Sequence, residues 1–255
     1  MRNTLARIDT LLRGGFTQRD QLRAGRVEAE VRDLALAALP LGVVYGIFMG
    51  LYSVARGGAG SAFQLLATAL KVPLLFLLTL IVTLPSLYVL SALARSRLSF
   101  THTVRLLLAA VTVNLALLAS FGPVTGFFTL STESYPFMIL LNVAFFTVSG
   151  IVGLVFLRKA LDVVFEIEPP VPVPPPPGQP PAADSVAIRA LRSATRQDPA
   201  ARVFSGWTLI YAVVGAQMGW ILRPFIGAPS EPFRWFRQRD SNFFVVVWES
   251  FQRLF

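Results

Sequence analysis

Residues Leu34–Val54 read LALAALPLGVVYGIFMGLYSV, twenty-one consecutive residues without a charged side chain. At a rise of about 1.5 Å per residue this run spans roughly 31 Å as a helix, the thickness of the hydrocarbon core of a bilayer. Four further uncharged runs of similar length follow: Val72–Leu93, Leu106–Phe128, Pro136–Leu157 and Val203–Leu222. Backbone in hydrocarbon must close its hydrogen bonds internally, which such runs do as helices. The expected fold class is therefore all-α: a polytopic transmembrane helix bundle with about five spans, plus amphipathic interfacial helices at both ends. The 33 residues before the first run are polar and Arg-rich, and the run exceeds the apolar region of a secretory signal, so it reads as a retained span.

Composition agrees. Hydrophobic residues make up 54% of the chain and charged residues 15%, against about 25% charged in soluble domains. The net charge is +9, carried by 21 Arg and by Lys71 and Lys159. These cations lie between the apolar runs, which makes the lipid bilayer surface the partner and gives no nucleic-acid interface. Sixteen of the 23 basic residues fall in the N-terminal arm and in the second and fourth loops. The positive-inside rule then places the N-terminus in the cytoplasm and the C-terminus outside. The alternative is a re-entrant fifth segment, which returns the basic tail to the cytoplasm. An outer membrane is disfavoured, because its spanning proteins are barrels; the expected location is a bacterial inner membrane. The chain has no Cys, which excludes disulfides, thiolate nucleophiles and Cys-ligated metals.

The chain divides into a cytoplasmic amphipathic arm (1–33), a four-span bundle (34–160), a proline-rich cytoplasmic linker (161–202), a fifth span (203–222) and an aromatic, Arg-containing C-terminal segment (223–255). In the arm, Leu5, Ile8, Leu11 and Leu12 follow helical spacing up to Gly14 and Gly15. That face suits either the inner leaflet or the protein's own loops. Ser61 is placed to cap a short segment carrying Phe63, Leu66 and Leu70, with Pro73 starting the second span afresh. Pro85 and the Gly122-Pro123 pair are expected to kink their spans. Nine prolines between Pro169 and Pro181 predict an extended polyproline spacer. At the C-terminus Phe243, Phe244, Val247, Trp248, Phe251, Leu254 and Phe255 fall on one helical stripe. Together with Arg223, Phe225 and Trp235, this stripe predicts an interfacial helix on the outer leaflet; the alternative is a helix packed back over the bundle.

Spacing also points to what holds the bundle. Gly42, Gly46 and Gly50 recur every four residues on one face, as do Ser149 with Gly153 and Gly215 with Gly219. Small residues at this spacing let helix backbones approach closely in lipid. They are expected to make contacts within the chain, with a homo-oligomer seam or a membrane-protein partner as the alternative. No ionisable residue falls inside the apolar runs, whereas pumps and proton relays carry them. The neutral polar residues Thr79, Thr83, Ser86, Asn114, Asn142 and Gln217 read as interhelical hydrogen-bonding groups, or as the lining of a polar path beside the broken second and third spans. His102 is the one His and reads as a loop residue; a metal site needs more ligands than it offers. No metalloprotease, phosphate-loop, dinucleotide or nucleophile-elbow pattern is present, so no catalytic, cofactor-binding or metal-binding residue is nominated.

Three stretches resemble an uncharacterised family of bacterial polytopic (five-span) integral membrane proteins: Lys71–Phe76 running into Leu84–Tyr88, Phe127–Thr129 with Tyr135–Phe137, and Gly215–Met218 with Leu222–Gly227. The resemblance covers 34–160 and 203–245 and implies no activity or site residue. The layout also resembles, more faintly, the Yip-type membrane proteins, whose signature residues before the first span are not found. The functional expectation is a non-enzymatic membrane scaffold or accessory subunit of a membrane complex. The alternative is a small-solute channel or transporter using the kinked second and third spans.

Overall fold

The computed structural model describes residues 30–57, 60–93, 100–165, 199–223, 225–227, 232–236 and 242–253, without the side chains of 90–93, 162–165 and 199–205. The N-terminal arm and most of the proline-rich linker lie outside the described residues. Among the described residues the regular structure is all helical, in six elements: α1 (Val31–Ala55), α2 (Ser61–Leu93), α3 (Phe100–Ser131), α4 (Tyr135–Phe165), α5 (Pro199–Leu222) and α6 (Phe243–Gln252). α1 to α4 are each long and apolar enough to cross a membrane, as a membrane-embedded protein requires. The fifth run forms a 24-residue helix, α5, with its side chains described from Gly206 onward.

Helix ends depart from the hydropathy limits. α2 is a single helix from Ser61, passing through both Pro73 and Pro85, where a short capped segment and a new start at Pro73 were expected. α3 likewise continues through Pro123 and begins at Phe100, so His102 sits in its first turn rather than in a loop. Apolar runs end where a charge appears, but helical hydrogen bonding continues past it. Prolines inside spans are tolerated because neighbouring helices re-satisfy the freed backbone. α2 therefore carries Lys71 within the helix, buried at 3% exposure, rather than flanking a span.

α1 is the hub and packs most extensively on α3 and α2. Toward α2 it presents its glycine row. A Cβ on Gly46 would lie 2.7 Å from both Ala69 Cα and the Thr68 carbonyl oxygen; on Gly42 it would lie 2.9 Å from Pro73 Cβ, and on Gly50 2.9 Å from Leu65 Cα. The two backbones touch along this seam, as the spacing predicts. Toward α3, α1 inserts Phe48, whose ring fills the notch at Gly122 and Gly126: Cβ atoms there would lie 2.5 and 3.0 Å from it. This second small-residue pair escaped the sequence reading because Pro123 drew attention to a kink. The remaining core is branched and aromatic, with Tyr45, Tyr52, Leu106, Leu118, Met138 and Trp207 fully buried.

The end of the bundle where α1 meets α2 is tied together tightly. Gly57 and Gly60 adopt φ of 67° and 80°, the left-handed turn conformation that L side chains disfavour. Arg56 donates to Glu133 Oε1 (3.0 Å) and to the Thr129 and Thr132 carbonyls, and the Tyr52 hydroxyl donates to the Glu133 carbonyl (2.8 Å). The chain beyond α5 closes over this same end. Gln64 Nε2 and Thr68 Oγ1 both donate to the Phe225 carbonyl, at 3.0 and 2.6 Å. Lys71 Nζ donates to the Trp235 carbonyl and sits over the Phe236 ring.

α5 runs antiparallel along α2. The Trp207 indole donates to Ser86 Oγ (2.9 Å), Gly215 faces Thr79, Gly219 faces Leu75, and Phe225 reaches Gln64. α4 leans on α3 from the other side, with Phe121 and Phe145 stacked at 4.6 Å, and is the least buried of the four long helices. α4 and α5 make few contacts with each other, which leaves the space described next.

Candidate functional site: a cavity between α4 and α5

A cavity of about 680 Å³ lies between α4 and α5, within the range of roughly 300–1,000 Å³ typical of small-molecule sites. Its back wall is Leu75, Phe76 and Thr79 of α2, with Asn114 of α3 and Met49 of α1. Its sides are the facing rows Val143, Thr147, Gly150 and Ile151 of α4 and Tyr211, Ala212, Gly215 and Gly219 of α5. α6 roofs it with Phe243, Val246, Val247 and Ser250.

Small residues create the volume. A Cβ added to Gly150 would meet no atom within 4 Å, and at Gly215 and Gly219 it would make only ordinary contact, at 3.7 and 3.5 Å. The α5 pair is thus no close-packing seam, contrary to expectation. It meets side chains of α2 at normal separation and gives the cavity its width. Gly153 does pack closely, with a Cβ 3.2 Å from Asn114 Cβ, and Ser149 is fully buried with its hydroxyl donating to the Phe146 carbonyl (3.1 Å).

The six polar residues considered as a path divide. Thr79, Asn114 and Asn142 line the cavity; Thr83, Ser86 and Gln217 do not. The hydroxyls of Thr79, Thr83 and Ser86 donate to the carbonyls of Leu75 (2.8 Å), Thr79 (2.7 Å) and Thr83 (2.7 Å). Such back-bonding satisfies a hydroxyl within its own helix and leaves little for a solute. Asn142 is spent too: its Oδ1 accepts from the Tyr45 hydroxyl (2.7 Å) and its Nδ2 donates to the Met138 carbonyl (2.8 Å). Asn114 is the exception. It is 5% exposed, and its Oδ1 is buried without a hydrogen-bond partner.

Charge gathers at one end. Arg223, just past the end of α5, and Glu249 and Arg253, in the last turn and at the C-cap of α6, line the mouth, and the Arg223 guanidinium lies 3.6 Å over the Trp220 ring. Phe225 also lines the cavity, so of the expected interfacial residues Arg223 and Phe225 stand at the mouth. Trp235 instead gives its carbonyl to Lys71, and Trp248 stacks on Phe251 on the outer side of α6. The C-terminal stripe splits accordingly. Phe243 and Val247 turn toward the cavity, while Phe244, Trp248 and Phe251 are exposed. α6 is capped by Asn242, whose Oδ1 accepts from Val245 N (3.0 Å), and it packs on α4 and α5. Sequence reasoning missed the cavity, although Gly150 and the Ala212, Gly215, Ala216 and Gly219 face of α5 were its legible signs. Among the described residues no three His, Cys, Asp or Glu side chains cluster as metal ligands. Comparison with family models, with curated proteins and with solved structures finds no match for this chain.

Proposed function

We propose that this chain is a non-enzymatic accessory protein of a bacterial inner membrane that works by holding a lipophilic molecule between α4 and α5. The observation that carries this reading is the cavity: 680 Å³ of mostly apolar wall, kept open by glycines whose neighbours leave room for larger side chains. Thr79, Asn142 and Thr147 of its wall are engaged within the protein, which suits retention better than reaction.

The proposed topology has five crossings with the N-terminus in the cytoplasm. α5 and the chain up to Phe225 follow α2 from Ser86 to Gln64, and the 24 residues of α5 rise about 36 Å, enough for a bilayer core of roughly 30 Å. α6 then lies at the outer interface, with Phe244, Trp248 and Phe251 toward lipid headgroups.

Purification from native membranes in a mild detergent, followed by mass spectrometry of the lipid and protein content, tests the reading. A membrane lipophile at near one copy per chain, depleted by Gly150→Leu, is expected, together with a co-purifying membrane protein. Finding neither would remove the proposal. The alternative, a small-solute channel or transporter, draws on Thr79 and Asn114 in the cavity wall. It requires solute flux in proteoliposomes that Gly150→Leu abolishes.

A further inference from the structure

Two features of the cavity specify its occupant further: where it opens, and which hydrogen-bonding capacity it leaves unused. Thr147, Ile151 (56% exposed) and Ala212 line the cavity and are also exposed. The cavity therefore opens sideways between α4 and α5, at bilayer depth, and a ligand enters from the lipid phase. Asn114 lies near the middle of α3 and lines the back wall, and its Oδ1 is buried without a partner. A buried carbonyl without a donor is costly, and a ligand that supplies one recovers that cost. The amide turns about χ2, a soft terminal torsion, so either its carbonyl or its N–H₂ can face the cavity. An amide offers one acceptor and one donor, which match the donor and acceptor of a hydroxyl.

Charge decides the rest. The charged side chains that line the cavity, Arg223, Glu249 and Arg253, stand at its mouth. Asn114 abuts Gly153 of α4, which is about 27 Å of helix rise from Tyr135, whose hydroxyl donates to the Ile226 carbonyl just past Arg223. An ionised head group at Asn114 would sit at membrane depth without a counter-charge, which hydrocarbon penalises. The head group at Asn114 is therefore neutral.

We propose that the cavity binds a neutral, membrane-dissolved molecule with a long apolar body and a terminal hydroxyl, and that this hydroxyl donates a hydrogen bond to the Asn114 side-chain carbonyl. The proposal rests on the ligand-holding reading above and adds the chemical class of the ligand and its orientation. The hydroxyl end lies at the back wall. The apolar body lies along Gly150, Gly215 and Gly219 and leaves through the lateral opening.

Photolabelling of the full chain in phosphatidylcholine vesicles tests it, with diazirine-bearing hexadecanol and diazirine-bearing hexadecane as probes. Saturable labelling of α4 and α5 around Gly150 and Ala212 is expected, displaced by unlabelled hexadecanol at lower concentration than by hexadecane. Asn114→Leu should weaken the alcohol roughly five- to tenfold, the loss of one hydrogen bond, and leave the hydrocarbon unchanged. Asn114→Ala serves if the Leu variant does not purify monodisperse. Gly150→Leu should abolish saturable labelling by both probes. If alcohol and hydrocarbon compete equally and the Asn114 variants change neither, the hydroxyl assignment is overturned while the ligand-holding reading stands. If neither probe labels the cavity saturably, both are overturned.

Discussion

At Gly46 an added methyl group meets the backbone of α2 at 2.7 Å, whereas at Gly215 it meets one side-chain methyl at 3.7 Å. The residue is the same and the consequence opposite. Gly46→Leu should separate α1 from α2 and cost about 3 kcal/mol or more, beyond ordinary overpacking because the obstacle is backbone. Gly215→Ala should change stability by less than about 0.5 kcal/mol. Reversible unfolding of the two variants in detergent micelles measures the contrast; equal stability would refute the seam. The row Gly42, Gly46 and Gly50 was legible because a four-residue repeat places small groups on one helical face. The same spacing at Gly215 and Gly219 misled, since a repeat says which residues share a face and nothing of how far away the facing helix stands. Asn114 and Asn142 looked alike in the sequence for a related reason. The Tyr45 hydroxyl, 97 residues away, is what engages the Asn142 carbonyl and leaves that of Asn114 the open one.

The turn between α3 and α4 shows how an element boundary is held. Arg56 reaches it from the end of α1, joining Glu133 and two backbone carbonyls. The Glu133 side chain is 90% exposed, and exposed ion pairs contribute about 0–1 kcal/mol. Glu133→Gln should therefore be nearly silent. Arg56→Ala should cost about 1–2 kcal/mol, because the Thr129 and Thr132 carbonyls lose a charged donor. Thermal melts of the single and double variants separate the two contributions, and equal losses from both single variants would overturn the assignment. At this scale the existence and type of the long helices were legible from apolar run length alone. Their ends were not, because hydropathy stops at Lys71 or Arg105 while the helix goes on. The extension of α2 back to Ser61 brings Lys71 inside the helix, where its ammonium donates a hydrogen bond to the Trp235 carbonyl.

Over the whole molecule, the tail after Leu222 is tied to the end of the bundle where α2 and α4 begin, through Phe225, Ile226 and Trp235. A reporter fused after Phe255 should accordingly signal from the side opposite the N-terminus, and a cytoplasmic signal would refute the five-crossing arrangement. Charge counting left this open, because the tail carries five basic residues on the side where the rule expects few. Fold class was readable from the sequence because lipid admits so few backbone solutions. The cavity was not, since it is a gap between α4 and α5, and their separation follows from how each leans on a different neighbour.

The roof of that gap has a consequence for biosynthesis. α1 to α4 leave the ribosome as a set that already holds its seam, its aromatic stacks and one flank of the pocket. The opposite flank arrives only after the proline-rich stretch has been made, and the lid formed by Phe243–Gln252 arrives later still. A nascent chain, or one terminated before Phe243, therefore presents an open trough, and only a polypeptide that includes α6 can enclose what has settled there.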